Sequence, residues 1–177
     1  MTDALEPNAY LRTLTTRDGI ALTIRPAVQA DEAALAHFFA QVSDEDRRFR
    51  FLASSQPVSH AQLVPLVQAD HVHSESFIAF DAAGTGDIVA SGLLACDAAL
   101  DTAEVAVSVH AAYRGKGVGW AMLGLLAQEA QHRGVRRVLS IESRDNHAAI
   151  ELEREKGFVP EAVEGDPSLV VLSRSFR

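Results

Sequence analysis

The sequence holds one cysteine in 177 residues, which rules out an internal disulfide and suits a reducing, cytoplasmic setting. No apolar run approaches membrane-spanning length, and the polar start of the chain does not read as a signal peptide, so no membrane partner is expected. Positive charge is in deficit. With 16 Lys and Arg against 24 Asp and Glu, the formal net charge is −8, which argues against a general nucleic-acid surface and is compatible with a cationic substrate. Repeats, low-complexity tracts and an interdomain linker are also missing. His71-Val72-His73 has ligand-like spacing but lacks a Cys/His pair to complete a tetrahedral set, so no metal is expected. What remains is 47% hydrophobic with a mean hydropathy of +0.04, the composition of one globular domain over residues 10–177 behind a frayed stretch of residues 1–9.

The most informative stretch runs from Glu104 to Gly134. Glu104-Val105-Ala106-Val107-Ser108-Val109 alternates β-branched with small or polar residues, the period of a strand. Arg114-Gly115-Lys116-Gly117-Val118-Gly119 follows, and a largely apolar helix runs from Trp120 to Ala130, with Gly134 as its left-handed stop. Three glycines at a strand-to-helix turn bring bare N–H groups near a ligand at the positive end of a helix dipole, which makes an anion site. Spacing decides which one. A dinucleotide fingerprint starting at Gly115 and Gly117 needs a third glycine where Trp120 stands, and no Gly-Lys-Ser/Thr completes a Walker loop.

The pattern that fits is Arg114-x-x-Gly117-x-Gly119, which resembles the acetyl-CoA pyrophosphate loop of the GNAT N-acetyltransferase superfamily. A second motif supports it after the next strand, Arg137 to Glu142. Asn146-x-x-Ala149-Ile150-x-Leu152, closing on Lys156-Gly157-Phe158, resembles the superfamily's second cofactor-side motif, which implies that Asn146 contacts the pantetheine arm. Asn146 also fits a plain helix cap, and both roles can hold together. The resemblance further implies that the backbone groups of Val107 and Val109 pair with the pantetheine amides and help polarise the thioester carbonyl.

Around this centre, Tyr10 to Arg17 and Ile20 to Arg25 read as strands flanking Asp18-Gly19, a two-residue hairpin signal. A helix starts at Asp31-Glu32 with Leu35, Phe38, Phe39 and Val42 on one face. Ser43 caps a second helix, and Ser59-His60-Ala61-Gln62 is a capping box for a third, which Pro65 kinks or shortens. Strands are expected over 76–81, 88–96 and 169–173. The order β-β-α-α-α-β-β-β-α-β-α-β predicts an α/β fold, a mixed sheet with helices on its faces, and is similar to the GNAT order over nearly the whole chain. Arg17-Asp18-Gly19 leading into Thr23-Ile24-Arg25-Pro26, Arg47 to Phe51, Ser59-His60 and Ala103 to Val107 most resemble the catalytic domain of Pat-type protein lysine acetyltransferases. Some of that group carry an added nucleotide-sensing or ligase-like domain; none is expected here.

Direct transfer of acetyl from a thioester to an amine needs a neutral nitrogen, and a lysine ammonium titrates near ~10.4, so a base is required. Glu104 is the candidate. It shares a strand face with Ala106 and Ser108, whose small side chains leave room for a nitrogen and an acetyl group. The Pat-type resemblance places its catalytic glutamate at the same point. Many family members carry a tyrosine at the position of Glu153 to protonate the departing thiolate. Here Tyr10 and Tyr113 are the only tyrosines, and a thiolate of pKa ~8.5 can leave without a dedicated acid. Cys96, Trp120 and Met122 read as core residues, and Arg136-Arg137 as a solvated edge. The expected activity is therefore acetyl transfer from acetyl-CoA to a primary amine, first a protein lysine. A small or N-terminal amine, and a non-catalytic acetyl-CoA sensor, are the alternatives.

Overall fold

The computed structural model describes residues 11–52, 57–161 and 164–176. Among the described residues the elements in chain order are β1 (Arg12–Thr15), β2 (Ala21–Pro26), α1 (Glu32–Ala40), α2 (Asp44–Phe51), α3 (His60–Val67), β3 (Ser74–Asp81), β4 (Ile88–Cys96), β5 (Thr102–Val109), α4 (Val118–His132), β6 (Arg137–Ser143), α5 (His147–Glu155), β7 (Val159–Glu161) and β8 (Leu169–Ser175). The strands form one mixed sheet in the order β1-β2-β3-β4-β5-β6-β8-β7. Every neighbouring pair is antiparallel except β5–β6.

The helix boundaries follow the capping chemistry in the sequence. Ser43 Oγ accepts the Asp46 N–H at 3.1 Å, and Ser59 with Gln62 closes a reciprocal capping box at the start of α3. Pro65 lies inside α3, which ends two residues later. Gly134 and Gly157 both adopt left-handed φ values, +80° and +87°, as stops for α4 and α5.

Two expectations need correction. The first hairpin turns through three residues rather than two: Thr16 N–H bonds the Ile20 carbonyl, and Gly19 takes φ +91°. That is the three-residue loop with a left-handed last residue, for which Asp18-Gly19 serves as well as for the shorter turn. Strand β7 was not expected. It has three exposed residues with Pro160 in the middle, so it carries neither a hydrophobic period nor a full set of ladder donors. Its place at the sheet edge is what tolerates the proline. Tyr10, the expected start of the first strand, lies outside the described residues.

Two hydrophobic clusters cover the two faces of the sheet. On one face α4 packs through Met122, Leu125 and Leu126 against Leu94, Val105 and Val138. On the other α1 and α3 pack through Phe38, Phe39 and Leu66 against Ile78 and Ile88. Burying a side chain of this size stabilises the fold by roughly 1.5–3 kcal/mol, so these clusters hold the sheet from both sides.

The feature that positions a site is the β5–β6 junction. The two strands pair only through Thr102↔Arg137, Ala103↔Val138 and Glu104↔Leu139. Beyond Glu104, β5 continues to Val109 on β4, and β6 continues to Ser143 on β8, but no longer on each other. The sheet therefore opens into a wedge with unpaired backbone groups on both walls. Unpaired edges inside a sheet are costly unless something supplies hydrogen bonds.

Candidate active site

A cavity of about 900 Å³ fills this wedge. Its walls are Glu104 to Val109 from β5, Ser140 to Glu142 from β6, Asn146, Leu152 and Glu153 around α5, and the turn leading into α4. Of the residues singled out in the sequence, Glu104, Val107, Val109, Arg114, Gly115, Gly117, Val118, Gly119 and Asn146 all line it. Lys116 does not; its ammonium lies over the Tyr113 ring, 5.4 Å from the centroid.

The glycine turn has the shape of an anion cradle. Gly115 and Gly117 take φ of +71° and +80°, and Gly117 is the N-cap of α4. The N–H groups of the first helical turn have no partner within the helix and open toward the cavity. A side chain at Gly117 would be strained by its φ, and its Cβ would sit 3.2 Å from Arg17 Cγ and 3.4 Å from Thr16 Cβ. The β1–β2 hairpin is thus the second wall of the turn, and Arg17 joins Arg114 in giving this end of the cavity positive charge. Arg114 is anchored to Asp46 of α2 at 3.2 Å.

At the closed end of the wedge, Glu104 is the last residue of β5 paired with β6, and its side chain is exposed into the cavity. Ala106 and Ser108 follow on the same face, which is covered by Phe49 and Arg50 of α2 and by Leu52 just past it. Arg50 is the cation between two acids. Burial lowers its pKa, while the charges of Glu104 and Glu142 work in the opposite direction. Asn146 is the expected cap: its Oδ1 accepts the Ala149 N–H at 3.4 Å at the start of α5, while its Nδ2 donates to Glu142 at 3.1 Å.

Several side chains fall elsewhere. Trp120, expected in the core, is half-buried on the cavity wall between the Arg17 guanidinium at 5.0 Å and the Lys156 ammonium at 3.1 Å, whereas Met122 is fully buried. The helix turns Trp120 toward the hairpin because Met122, Leu125 and Leu126 already occupy the core stripe. Arg136 and Arg137 are paired with Asp101 and Glu161. His71 binds Glu75, and among the described residues no cluster of three metal-type ligands occurs. Tyr113 donates its hydroxyl to Asp81 at 2.8 Å, and that bond raises its pKa.

Sequence reasoning missed Arg50, Ser140 and Glu142 as cavity residues, and named Glu153 only as the position where many relatives carry a tyrosine. Arg50 carried no signal, since α2 is charged along most of its length. Glu153 had one: it stands three and four residues after Ile150 and Ala149, so it falls on the apolar stripe of α5.

The comparisons agree with this geometry. The model of the acetyltransferase (GNAT) family matches residues 28–158. An acetyltransferase of Pseudomonas aeruginosa is 28% identical over 170 residues, covering 95% of this chain and 90% of its own length. The GNAT domain of S. lividans PAT superposes with a TM-score of 0.86 at 26% identity, covering 97% of this chain and 99% of that one. A Salmonella typhimurium protein solved with its cofactor acetyl-CoA shares the fold, with a TM-score of 0.68 at 22% identity over 87% of this chain and 93% of its own. With the wedge, the helix-capping glycine turn and a family match over most of its length, the chain belongs to the GNAT acetyltransferase family, whose acetyl donor is acetyl-CoA.

Proposed function

We propose that the chain transfers acetyl from acetyl-CoA to a lysine side chain of a protein, with Glu104 as the general base. The observation that carries the reading is the position of Glu104, at the point where β5 and β6 part and on the face that opens beneath α2. The pyrophosphate rests on the N–H groups of Gly115, Gly117, Val118 and Gly119, with Arg114 and Lys116 adding positive charge at the mouth. The pantetheine amides take up the unpaired backbone of Val107 and Val109, and Asn146 borders the arm from the other wall. The thioester carbonyl then lies near Glu104, where a backbone N–H of β5 can stabilise the developing oxyanion.

Glu104 takes the ammonium proton, and the neutral amine attacks the carbonyl carbon from the α2 face. With that proton passed to solvent, the Glu104 carboxylate takes the second nitrogen proton as the amide forms and the C–S electron pair leaves on the thiolate. Ala106 beside it leaves the nitrogen room to approach. The lysine assignment is supported by the likeness to the GNAT domain of S. lividans PAT, which spans the same segments, Arg17 to Pro26 and Arg47 to Phe51, that carry the Pat-type resemblance.

Incubation with radiolabelled acetyl-CoA, offering a cell lysate and a panel of small amines in parallel, tests the reading. Label on protein lysines is the expected result. Label confined to small amines overturns the lysine assignment, and label on neither leaves a non-catalytic acetyl-CoA-binding module.

A further inference from the structure

We propose that the uncovered sheet face formed by β6, β8 and β7 is the docking surface for the acceptor polypeptide, and that it selects a lysine flanked by apolar residues. This rests on the lysine reading above and names the surroundings that the acceptor lysine must have.

The strand register sets a continuous row of residues beside Glu104. Glu104 pairs with Leu139 of β6, Leu139 with Ser173 of β8, and Ser173 with Val159 of β7. The next row holds Ile141, Val171 and Glu161. Paired residues share a face and successive ones alternate, so Leu139, Ile141, Val171 and Val159 all lie on the side of Glu104. Two hydrogen bonds agree with this: Arg137 and Ser173 both donate to the Glu161 carboxylate at 2.5 Å, which requires the three side chains to share a face. The opposite face is the one that α4 and α5 cover, where Val138 and Leu172 join the core and Ser140 bonds Glu153. On the Glu104 side, α1 and α3 pack on β3 and β4, and α2 packs on β5 and β6. Among the described residues, the helix that packs on β8 is α5, from the other face, so β8 and β7 are bare on this one.

The result is apolar surface left in water. Five large apolar side chains are exposed among the described residues, and three of them, Leu52, Ile141 and Val159, border this face. Val171 lies between Ile141 and the edge strand and is half-buried. Single exposed apolar residues need no explanation, but a strip of them at the mouth of a cavity marks a contact surface. Leu52 adds a second cost. It ends α2 with a left-handed φ of +49°, uncommon for a leucine, and lines the cavity. The charges on the strip, Arg137 and Glu161, neutralise each other, so a partner seated here needs no charge of its own beyond the lysine.

The reach of a lysine decides what covers the strip. Its nitrogen lies about 6 Å from its Cα, five bonds of about 1.5 Å in a zigzag. Since α2 roofs Glu104 and α1 and α3 close the β4 side, the acceptor backbone comes in over Leu139 and Ile141 of β6. Neighbouring strands are ~4.8 Å apart, so Val159 lies three spacings from Glu104, roughly 14 Å away. An extended chain rising about 3.3 Å per residue therefore meets Val171 and Val159 within about four residues of its lysine. A small amine held at Glu104 touches neither β8 nor β7. A polypeptide acceptor covers both, and it binds better the more apolar surface it lays on the strip. The net charge of −8 attracts lysines in general, and the strip discriminates among them.

The test measures kcat/KM at saturating acetyl-CoA with three acceptor probes. One is a peptide with a single lysine and leucine or valine two and four positions away on either side; the second has serine at those positions; the third is Nα-acetyl-lysine methylamide. Wild type should favour the apolar peptide over the serine peptide by about tenfold or more. Val159→Glu, at an exposed position, and Val171→Thr, which keeps the shape of valine, should each lower kcat/KM for the apolar peptide by about fivefold. Both should leave the methylamide and acetyl-CoA affinity unchanged, a split that general damage to the fold would not produce. Equal use of the two peptides by wild type, or variants that slow all three probes alike, overturns the proposal. So does a dimer in sedimentation that Val159→Glu converts to a monomer, because a second copy then covers the strip. If none of the three probes is acetylated, the lysine reading fails and the docking surface with it, whereas acetylation without preference removes the docking surface alone.

Discussion

A paired glycine experiment separates the anion cradle from ordinary backbone strain. Gly117 and Gly134 share a φ of +80°, one at the start of α4 and one just past its end. An L-residue in this region costs roughly 1–2 kcal/mol, so Gly117→Ala and Gly134→Ala should each destabilise by about that much. For a chain of this length that is a fall in Tm of roughly 2–8 °C, read by calorimetry. At Gly134 nothing lies within 4 Å of the new Cβ, so the strain is the whole effect. At Gly117 the methyl also meets Arg17 Cγ at 3.2 Å and Thr16 Cβ at 3.4 Å, so the hairpin must shift by a few tenths of an ångström. Gly117→Ala should therefore cost slightly more stability. Acetyl-CoA affinity should separate the two decisively. Loss or lengthening of one charge-assisted hydrogen bond at the cradle, about 1.4–2.8 kcal/mol, weakens binding ten- to a hundredfold in Gly117→Ala. Gly134→Ala should bind as wild type. Equal affinity in both variants, measured by isothermal titration, would refute the assignment of the turn.

Three further outcomes follow from the same geometry. Glu104→Gln should lower kcat by about 10²–10⁴-fold with little change in acetyl-CoA affinity, and rising pH should partly rescue it as more amine arrives neutral; steady-state kinetics across pH decide this. Glu153 has a folded pKa of about 9 against an unfolded value near ~4.3, so the folded state holds the extra proton between these limits and stability falls as pH rises through that window. Glu153→Gln removes this penalty, so its Tm relative to wild type should improve steadily from acid to mildly alkaline pH in a thermal-shift series. Burial opposes ionisation of Asp31, but the Arg25 fork at 2.8 and 2.9 Å, the Val28 N–H and the Arg25 charge together hold its pKa below the ordinary range. That stability is present above pH ~3.9 and lost as pH falls below it, and Asp31→Ala should cost about 3 kcal/mol by urea unfolding at neutral pH, with a smaller penalty in acid.

Much of this was legible in the sequence because it depends on local rules. Ser43, Ser59 and Asn146 are caps wherever the chain places them, and Gly134 and Gly157 stop helices for reasons contained within a turn or two. The glycine turn belongs to the same class: the order Arg114, Gly117, Gly119 between a strand and a helix dictates where bare N–H groups collect. Glu104 and its small neighbours could be placed on one strand face by alternation alone. Trp120 was misplaced by the same logic. An apolar period names a stripe, but does not say that Met122 and Leu126 fill the core and leave the indole to be covered by Arg17 and Lys156 from elements far away in sequence. β7 was invisible since an exposed three-residue edge strand with a proline has no pattern.

The amino-acid order by itself thus determined the family, the donor and the strand that carries Glu104, all consequences of spacing along the chain. Tertiary structure alone decided the wedge. The divergence of β5 from β6 after three pairs depends on each strand keeping its other partner, β4 and β8, and no local signal records which neighbour a strand will abandon. That divergence brings Glu142 beside the buried Glu153, whose carboxyl is pushed above the ordinary range by burial and then by the Glu142 charge. The reason is physical: helix caps and turns are settled by bonds a few residues long, whereas the pKa of a carboxyl is settled by whatever the fold brings around it.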